Sequence, residues 1–262
     1  MNLRPSTYDQ IDFDSPEAAQ KAYEVMRNKK CLRDIYTEQY HMMYKLCKKY
    51  LSPNSPGKIL EIGSGGGFIK DIYPNVVASD IRRIGNSDVI IDAEQLPFKS
   101  DSLDAIFGVH VIHHIPNISN FFKEADRVLK SGGVVVCIEL YWGPLATFIY
   151  KHMHPEPFDK KASTWELLER EGAGKKPMGY SNQALSYLIL KRDKQEFKKM
   201  FPQLKLIYQK PFGFLRYLFT GGVWLEQKLP DFCFPVLKLL ETVISPLMPI
   251  FGLHHVFVLK KI

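Results

Sequence analysis

One segment, ILEIGSGGGF at residues 59–68, restricts the fold of this 262-residue chain more than any other. A short apolar run leads into glycines at positions 63, 65 and 67, which is typical of a buried strand that turns sharply into a helix. Glycine lacks a Cβ atom, so the backbone of such a turn can approach a ligand closely. The spacing is GxGxG, not the GxGxxG of dinucleotide-binding proteins. The segment predicts a ligand-binding turn in an α/β fold, with a plain tight turn as the alternative.

Further apolar runs follow at intervals that suit alternating strands and helices, at residues 75–79, 89–91, 103–109 and 133–140. The last run is nearly continuous in Val and Ile, as in parallel strands that are covered on both faces. Residues 119–130 carry apolar side chains on one helical stripe and precede Gly132 and Gly133, which predicts a helix that the glycines end. The order strand, helix, strand predicts a doubly wound, mostly parallel sheet.

Both ends of the chain are predicted to add helices to this sheet. Ser15 and Pro16 suit the N-cap and first position of a helix that runs to residue 50, and the prolines at 53–56 then break the chain. Residues 204–209 and 255–259 are predicted strands, and the long insertion between them has apolar residues at helical spacing. We therefore predict an N-terminal helical segment, residues 1–54, and a domain over residues 55–262.

Two aspartates stand at the ends of the second and third predicted strands. Asp80 comes 17 residues after Gly63, where a carboxylate can accept hydrogen bonds from both hydroxyls of a ribose. Asp92 follows the third strand, where a carboxylate can accept a hydrogen bond from an adenine amino group. Each aspartate alone also suits a strand-end cap or a turn. Because the carboxyl ends of parallel strands meet at one edge of the sheet, the three features together predict a nucleoside site.

The ordered runs LEIGSGGGF, ASDI, IDAEQLPFKSDSLDAIFGVHVIHHI and EADRVLKSGGVVVCIE resemble class I S-adenosylmethionine-dependent methyltransferases of the broad type 11 group. The resemblance covers roughly residues 55–140. It implies a seven-stranded Rossmann-like sheet that ends in an antiparallel hairpin, and S-adenosyl-L-methionine as the cofactor. The segments YKHMHPEPFD and YLFTGG, at 150–159 and 217–222, resemble methyltransferases encoded with bacterial surface-polysaccharide enzymes.

The resemblance also implies roles for individual residues. Glu61 would lie near the methionine amino group, Gly63 and Gly65 under the cofactor, and His110 beside its methionine portion. Asp80 would hold the ribose, and Asp92 with the Ala93 backbone would bind adenine. The full implied cofactor set is Glu61, Gly63, Ser64, Gly65, Asp80, Ile81, Asp92, Ala93 and His110. Residues 141–192 and 211–253 would form insertions on the acceptor side, or a lid.

Methyl transfer makes modest chemical demands, because the sulfonium is already activated and needs chiefly an acceptor held in line with its methyl group. A hydroxyl acceptor also benefits from a base, which histidine can supply near neutral pH. We predict His114, and next His113, as that base, with packing against the cofactor loop as the alternative. The predicted acceptor-binding residues are Glu139, Tyr141, His154, Glu156 and Asp159. No metal is predicted at the HxxHH run 110–114, since no carboxylate or cysteine stands nearby at ligand spacing.

Composition limits the compartment and the partners. Four scattered cysteines without a CxxC pair, and an N-terminus without the apolar run of a secretory signal, predict reduced thiols and a cytoplasmic location. Residues 141–262 carry 18 Lys and Arg against 10 Asp and Glu, a net charge of +8. No basic-aromatic motif accompanies this charge, so nucleic acid is not predicted as a partner. The uncharged stretch 242–259 contains prolines and histidines, which disfavour a membrane span. Residues 232–251 are predicted to pack on the domain or to contact a membrane surface.

The sequence thus predicts an S-adenosylmethionine-dependent methyltransferase for a small-molecule acceptor, with O-methylation of a sugar or glycolipid precursor as the leading hypothesis. Two alternatives stay open: a non-catalytic S-adenosylmethionine-binding protein, and an NAD-dependent Rossmann oxidoreductase or epimerase. The GxGxG spacing and the missing YxxxK pair disfavour the second. The chain reads GVHVIHHIPN where base-methylating enzymes carry an Asn/Asp-Pro-Pro-Tyr-type motif, which disfavours a nucleic-acid methyltransferase.

Overall fold

A seven-stranded sheet forms the centre of the protein. The computed structural model describes residues 3–51, 57–166 and 181–262, so the predicted chain break at 53–56 lies outside the described residues. The strands are β1 (Ile59–Ile62), β2 (Val77–Asp80), β3 (Val89–Ile90), β4 (Leu103–Val109), β5 (Leu129–Leu140), β6 (Leu204–Phe212) and β7 (His254–Lys261). Their order in space is β3-β2-β1-β4-β5-β7-β6. The first five strands are parallel, and β7 is antiparallel to both of its neighbours. The predicted mostly parallel sheet with a closing antiparallel hairpin is confirmed.

Helices lie on both faces of the sheet and in the C-terminal insertion. They are α1 (Pro16–Asn28), α2 (Lys30–Tyr50), α3 (Ile118–Val128), α4 (Pro144–His152), α5 (Leu185–Tyr187), α6 (Lys194–Met200), α7 (Leu215–Thr220), α8 (Phe234–Val243) and α9 (Met248–Phe251). Helix α5 continues into a π-helical stretch, Leu188–Arg192. The predicted helical insertion before the last strand is confirmed as α7, α8 and α9.

The central strands are covered on both faces, as their apolar runs predict. In β5 the side chains of Val134, Val136 and Ile138 pack in the cluster that contains α2. The intervening Val135 and Cys137 pack in the cluster that contains α3. Because successive strand residues point to opposite faces, a strand that is buried on both sides needs apolar residues at every position.

The helix predicted over residues 17–50 is two helices, broken at Lys29. Its start is as predicted, since the Ser15 hydroxyl accepts a hydrogen bond from the Ala18 amide at 3.1 Å. Lys29 leaves the helical conformation with ψ at 97°. Its ammonium group donates to the carbonyl oxygens of Gly222 and Leu225 at 2.8 and 2.9 Å. This tertiary contact orients the break, and α2 then packs directly on the sheet as part of the domain core.

The prediction of a helix directly after the glycine turn is wrong. Phe68–Asp71 forms only a 3₁₀ turn, and the fully described stretch from β1 to β4 contains no α-helix. The crossover from β1 to β2 is residues 63–76, and its first five residues form the glycine turn, in which Gly63, Gly65, Gly66 and Gly67 have positive φ angles. These residues cannot join a right-handed helix without changing conformation, and one 3₁₀ turn and a loop complete the crossover. Helix α2, from the N-terminal segment, covers this face of the sheet instead.

The helix predicted to end at Gly132 and Gly133 ends earlier. Helix α3 stops at Val128, and Leu129 already pairs with Leu103 as the first residue of β5. The pairing then shifts register before Ala105 meets Val134, so the two glycines lie at an irregularity inside the strand.

Helix α8 is buried on one side only. Phe234 and Leu237 pack against Cys31 of α2 and against α7. The segment exposes a group of large apolar side chains, called here the apolar patch: Phe232, Val236, Leu239, Leu240, Val243, Leu247 and Ile250. No single described helix has the length and apolar character of a membrane span, although the bent pair Asp231–Val243 and Ser245–Phe251, at 68°, has both when taken together.

Candidate active site

The turn after β1 uses glycine for two different reasons. Gly63 and Gly65 have φ angles of 58° and 56°, in the left-handed region that favours glycine. A Cβ atom on Gly63 would lie 2.2 Å from Cγ2 of Val111, so packing excludes any side chain there. A Cβ atom on Gly65 would meet nothing within 4 Å. Gly65 therefore faces open space above the turn, where a ligand can approach the backbone.

Asp80 points at this turn. One oxygen of its buried carboxylate accepts a hydrogen bond from the Gly65 amide and the other from the Arg82 amide, both at 3.0 Å. The Ile91 amide donates to the Asp80 carbonyl oxygen at 3.0 Å, which brings the ends of β2 and β3 together. The carboxylate predicted to bind a ribose is therefore fixed beside the glycine turn.

Asp92 lies on the next strand end, but its side chain is exposed and accepts a hydrogen bond from the Glu94 amide at 2.8 Å. This is the turn role that the sequence left open as an alternative. Ile81 is 52% exposed next to Asp80, and Ala93 is half-buried. These three residues follow the neighbouring ends of β2 and β3, and their contacts with a nucleoside stay predictions.

Glu61 and Ser64 carry buried polar atoms without protein partners. Oε1 of Glu61 accepts a hydrogen bond from the Tyr40 hydroxyl at 2.6 Å. Among the described residues, Oε2 of Glu61 and the Ser64 hydroxyl have no hydrogen-bond partner. Burial raises the pKa of Glu61 to about 8. A cationic group at Oε2 would both satisfy this oxygen and stabilise the charged carboxylate.

His110 connects the glycine turn with the largest group of histidines. It follows β4 with φ at 52°, and its ring stacks on His254 with the centroids 4.8 Å apart. Burial lowers the pKa of His110 to about 4, so the ring is neutral near pH 7. The next residue, Val111, is the one that packs against Gly63.

His110 also lines a cavity of about 490 Å³, called here the histidine cavity. Its polar lining includes Gln183, Lys228 and the following histidines, tyrosines and glutamate: Tyr36, His110, His113, His114, Tyr150, His154, Glu156 and Tyr217. Residues 5–13 and 221–225 form another wall, where the rings of Phe13 and Trp224 meet edge to face at 5.2 Å. Both predicted insertions contribute to the cavity, and so does the N-terminal segment.

His113 is held between two carboxylates. Its Nδ1 atom lies 2.7 Å from Oε2 of Glu139, and its Nε2 atom lies 3.4 Å from Oε2 of Glu156. Burial lowers the pKa of His113, but the two carboxylates outweigh burial and raise the pKa to about 10. In this arrangement His113 already carries a proton and cannot take up another.

His114 differs from its neighbour in charge. Burial and the adjacent His113 lower the pKa of His114 to about 4. Its Nε2 atom is 3.8 Å from Oε2 of Glu156, and its Nδ1 atom has no hydrogen-bond partner among the described residues. Of the two predicted bases, only His114 has a neutral ring that can accept a proton from a ligand in the cavity.

The structure separates the predicted acceptor-binding residues into three groups. His154 and Glu156 line the histidine cavity. Glu139 lies behind His113, and its Oε1 atom accepts hydrogen bonds from the Val111 and Ile112 amides. Tyr141 packs against Trp142 and His255 outside the cavity wall, and Asp159 caps an exposed turn through the Lys161 amide at 2.8 Å.

Asn182 is a site residue that the sequence analysis missed. Its amide donates to the His113 carbonyl oxygen at 2.9 Å, and its fully buried side chain binds both the amide and the carbonyl of Asp159. It thereby fixes the segment that carries Glu156 against the turn that carries His113. No local motif marks Asn182, because its partners are distant in sequence.

Comparisons with known proteins agree with the fold and the turn. Residues 60–137 match the family model described as a methyltransferase domain. The ubiquinone/menaquinone biosynthesis C-methyltransferase of Brucella canis is 30% identical over 133 residues, which are 50% of this chain and 45% of that protein. An uncharacterized chloroplastic methyltransferase of Arabidopsis thaliana is 27% identical over 155 residues, 49% of this chain and 44% of that protein. The matches thus span about half the length of these curated relatives.

Two solved structures share the fold across most of the chain. An S-adenosylmethionine-dependent methyltransferase of Archaeoglobus fulgidus superposes with a TM-score of 0.50 at 13% identity, covering 87% of this chain and 94% of that one. One of Thermotoga maritima has a TM-score of 0.50 at 14% identity, covering 93% and 100%. The fold is therefore the Rossmann-like fold of class I methyltransferases. Residues 60–137, which match the methyltransferase-domain model, contain the glycine turn, Asp80 and the turn that carries His113 and His114.

The residues of the turn fit S-adenosyl-L-methionine, the cofactor of this class. The open space at Gly65 and the carboxylate of Asp80 suit a nucleoside above the turn. The unpartnered oxygens of Glu61 and Ser64 suit the amino acid end, whose ammonium group can donate to them. The other implied cofactor contacts stay predictions.

Alanine substitutions at two glycines should separate packing from ligand binding. Each substitution should lower the free energy of unfolding by about 1–2 kcal/mol, because alanine is strained in the left-handed conformation. Gly63→Ala should lower it by about 1–3 kcal/mol more, because the new Cβ atom would clash with Val111. Urea unfolding measures this difference. Gly65→Ala should instead abolish most S-adenosylhomocysteine binding in calorimetry while the chain stays folded. Normal binding by Gly65→Ala would contradict the placement of the cofactor.

The pH dependence of stability should report Glu61. The pKa of Glu61 is raised in the folded state, so the folded chain binds more protons than the unfolded chain between about pH 4.5 and 8. The contribution of Glu61 to the free energy of unfolding therefore falls as pH rises through this range. Glu61→Gln removes this pH-dependent contribution and keeps an oxygen that can accept the hydrogen bond from the Tyr40 hydroxyl. In cofactor-free protein, the variant should gain on the order of 3 kcal/mol over wild type between pH 5 and 8, measured by denaturant unfolding. Parallel pH profiles would refute a raised pKa.

Proposed function

We propose that this protein transfers the methyl group of S-adenosyl-L-methionine to a hydroxyl group of a small acceptor in the histidine cavity. The observation that carries the proposal is the position of the turn at residues 110–111. Val111 packs on Gly63 of the glycine turn, while His110 lines the cavity. This short segment therefore joins the glycine turn to the cavity, which supports in-line transfer from a cofactor held at the turn to an acceptor in the cavity.

The polarity of the cavity favours a hydroxylated acceptor, and we propose a sugar or a glycolipid precursor. Histidine, tyrosine and glutamate side chains can exchange hydrogen bonds with several hydroxyl groups. The rings of Tyr8, Phe13 and Trp224 on the opposite wall offer flat apolar faces. The Brucella canis relative is a C-methyltransferase, but the matched family model ends at residue 137, before the segments that supply His154 and Glu156.

The reaction needs a group that removes the hydroxyl proton as the oxygen attacks the methyl carbon. We propose His114 for this role in the metal-free protein. It lines the cavity, and its Nδ1 atom has no hydrogen-bond partner among the residues that the structure describes. Glu139 and Glu156 keep His113 in place beside it. His113 then acts through position and charge.

We also propose that the enzyme works in the cytoplasm at a membrane surface, which it contacts through the apolar patch. Phe232, Leu239 and Val243 are 79%, 65% and 69% exposed, and exposed apolar groups of this extent mark interaction surfaces. The C-terminal half of the chain is net basic, which complements anionic lipid headgroups. Helix α7 lies between the histidine cavity and α8, because Leu218 lines the cavity while Leu215 and Phe219 pack towards α8. A lipid-linked acceptor could then reach the cavity from the bilayer.

Cofactor binding is the first test of the proposed function. Calorimetry with S-adenosylhomocysteine should show binding, and Asp80→Asn should weaken it by about 1–3 kcal/mol, because the amide is a poorer acceptor for the ribose hydroxyls. Transfer of a labelled methyl group to sugar nucleotides and lipid-linked sugars should then identify the acceptor. Binding of NADH without any response to S-adenosylhomocysteine would refute the proposal. Cofactor binding without methylation of any hydroxylated acceptor would favour the non-catalytic alternative.

Vesicle sedimentation tests the membrane contact. Wild-type protein should co-sediment with vesicles of phosphatidylglycerol and phosphatidylcholine, and the double substitution Leu239→Glu and Val243→Glu should release it, because both side chains leave water on binding. Leu206→Glu is the matched control, since Leu206 is 40% exposed on β6, away from the patch. Equal sedimentation of all three proteins would argue against membrane binding through the apolar patch.

A further inference from the structure

Two histidines and a glutamate meet at the wall of the histidine cavity with nearly the spacing of metal ligands. The Nε2 atoms of His113 and His114 lie 3.4 and 3.8 Å from Oε2 of Glu156. One ligand atom from each residue lies within 4.8 Å of the other two. Bonds of about 2.1 Å around a tetrahedral ion place ligand atoms about 3.4 Å apart. Small side-chain rotations would therefore complete the site.

The surroundings of His113 resemble those of a metal-binding histidine. Its Nδ1 atom is held by Glu139 at 2.7 Å, so that Nε2 is directed at Glu156. A carboxylate on the far nitrogen of a histidine fixes the tautomer and orientation in which the near nitrogen binds a metal. Glu139 is itself fixed by the Val111 and Ile112 amides.

An ion pair of protonated His113 with its two carboxylates would explain only part of this cluster. It leaves unexplained why His114, the next residue, turns its ring towards the same oxygen of Glu156, with the two ring centroids 4.1 Å apart. It also leaves that Glu156 oxygen without a hydrogen bond among the described residues. A metal ion between the three side chains accounts for all of these contacts.

We propose that His113, His114 and Glu156 bind a divalent first-row transition metal ion, with zinc as the representative. Two histidines and one carboxylate with a free position are a common catalytic ligand set. The free position would face the histidine cavity, which these three side chains line. No metal is predicted from the sequence, because no carboxylate stands at ligand spacing from the histidines. The fold supplies that carboxylate from Glu156, 42 residues after His114.

The role of the ion rests on the proposed function. A bound ion would hold the acceptor hydroxyl and favour its ionised form, as it does for bound water. The hydroxyl proton passes to water in the cavity, the oxygen–methyl bond forms, and the sulfur–methyl bond breaks to leave S-adenosylhomocysteine, without any change of oxidation state. His114 is then a ligand and no longer the base, because a neutral imidazole that binds an ion through Nε2 carries its proton on Nδ1, and Nδ1 can no longer accept one.

The test uses the full chain after treatment with EDTA and dialysis. Calorimetric titration with zinc should show one ion per chain, and cobalt should give the visible absorption of a low-coordinate site. Glu156→Gln and His114→Ala should each weaken zinc binding at least about tenfold. His41→Ala and Glu196→Gln are matched controls on exposed faces of α2 and α6, and zinc affinity should be unchanged in both. S-adenosylhomocysteine affinity is measured on the same samples.

Absence of zinc binding, or binding that Glu156→Gln and His114→Ala leave unchanged, would overturn the metal site. If the same samples bind S-adenosylhomocysteine, the proposed function survives that result. Conversely, zinc binding that depends on Glu156 and His114, in protein that does not bind S-adenosylhomocysteine, would establish the metal site and remove the proposed function. The two proposals can therefore fail separately.

Discussion

One buried carboxylate, that of Glu139 at the end of β5, holds the turn on which both parts of the site depend. Its Oε1 atom accepts hydrogen bonds from the Val111 and Ile112 amides, and its Oε2 atom is hydrogen-bonded to Nδ1 of His113. These contacts satisfy an anion that would be costly to bury alone. They also fix Val111 against Gly63 and turn His113 towards the cavity. The packing of the glycine turn and the chemistry of the histidine cavity thus depend on the same side chain.

The parts that were predictable from the sequence are those encoded in short stretches of chain. Continuous Val and Ile in β5 predicted a strand buried on both faces, and the Ser15–Pro16 pair predicted a helix start. The glycine turn and Asp80 were predictable because strand ends bring them to one edge of the sheet.

The parts that were not predictable depend on contacts between distant residues. The sequence pattern of residues 17–50 is continuous, and only the contact of Lys29 with residues 222 and 225 shows why the helix breaks there. In the same way, Glu156 reaches the histidines through Asn182, which no motif marks. Periodicity also could not show that the residues after Gly67 form only a 3₁₀ turn, or that α2 covers the sheet there.

The bond from Lys29 to the carbonyl oxygens of Gly222 and Leu225 joins the two ends of the chain above the histidine cavity. The central strands, which carry the family resemblance, contribute only part of that enclosure. Exchange of the C-terminal insertion alone between related chains would not carry over the shape of this cavity, because the insertion is anchored to the N-terminal helices. A change in the cavity lining would therefore require paired replacements in both parts of the chain.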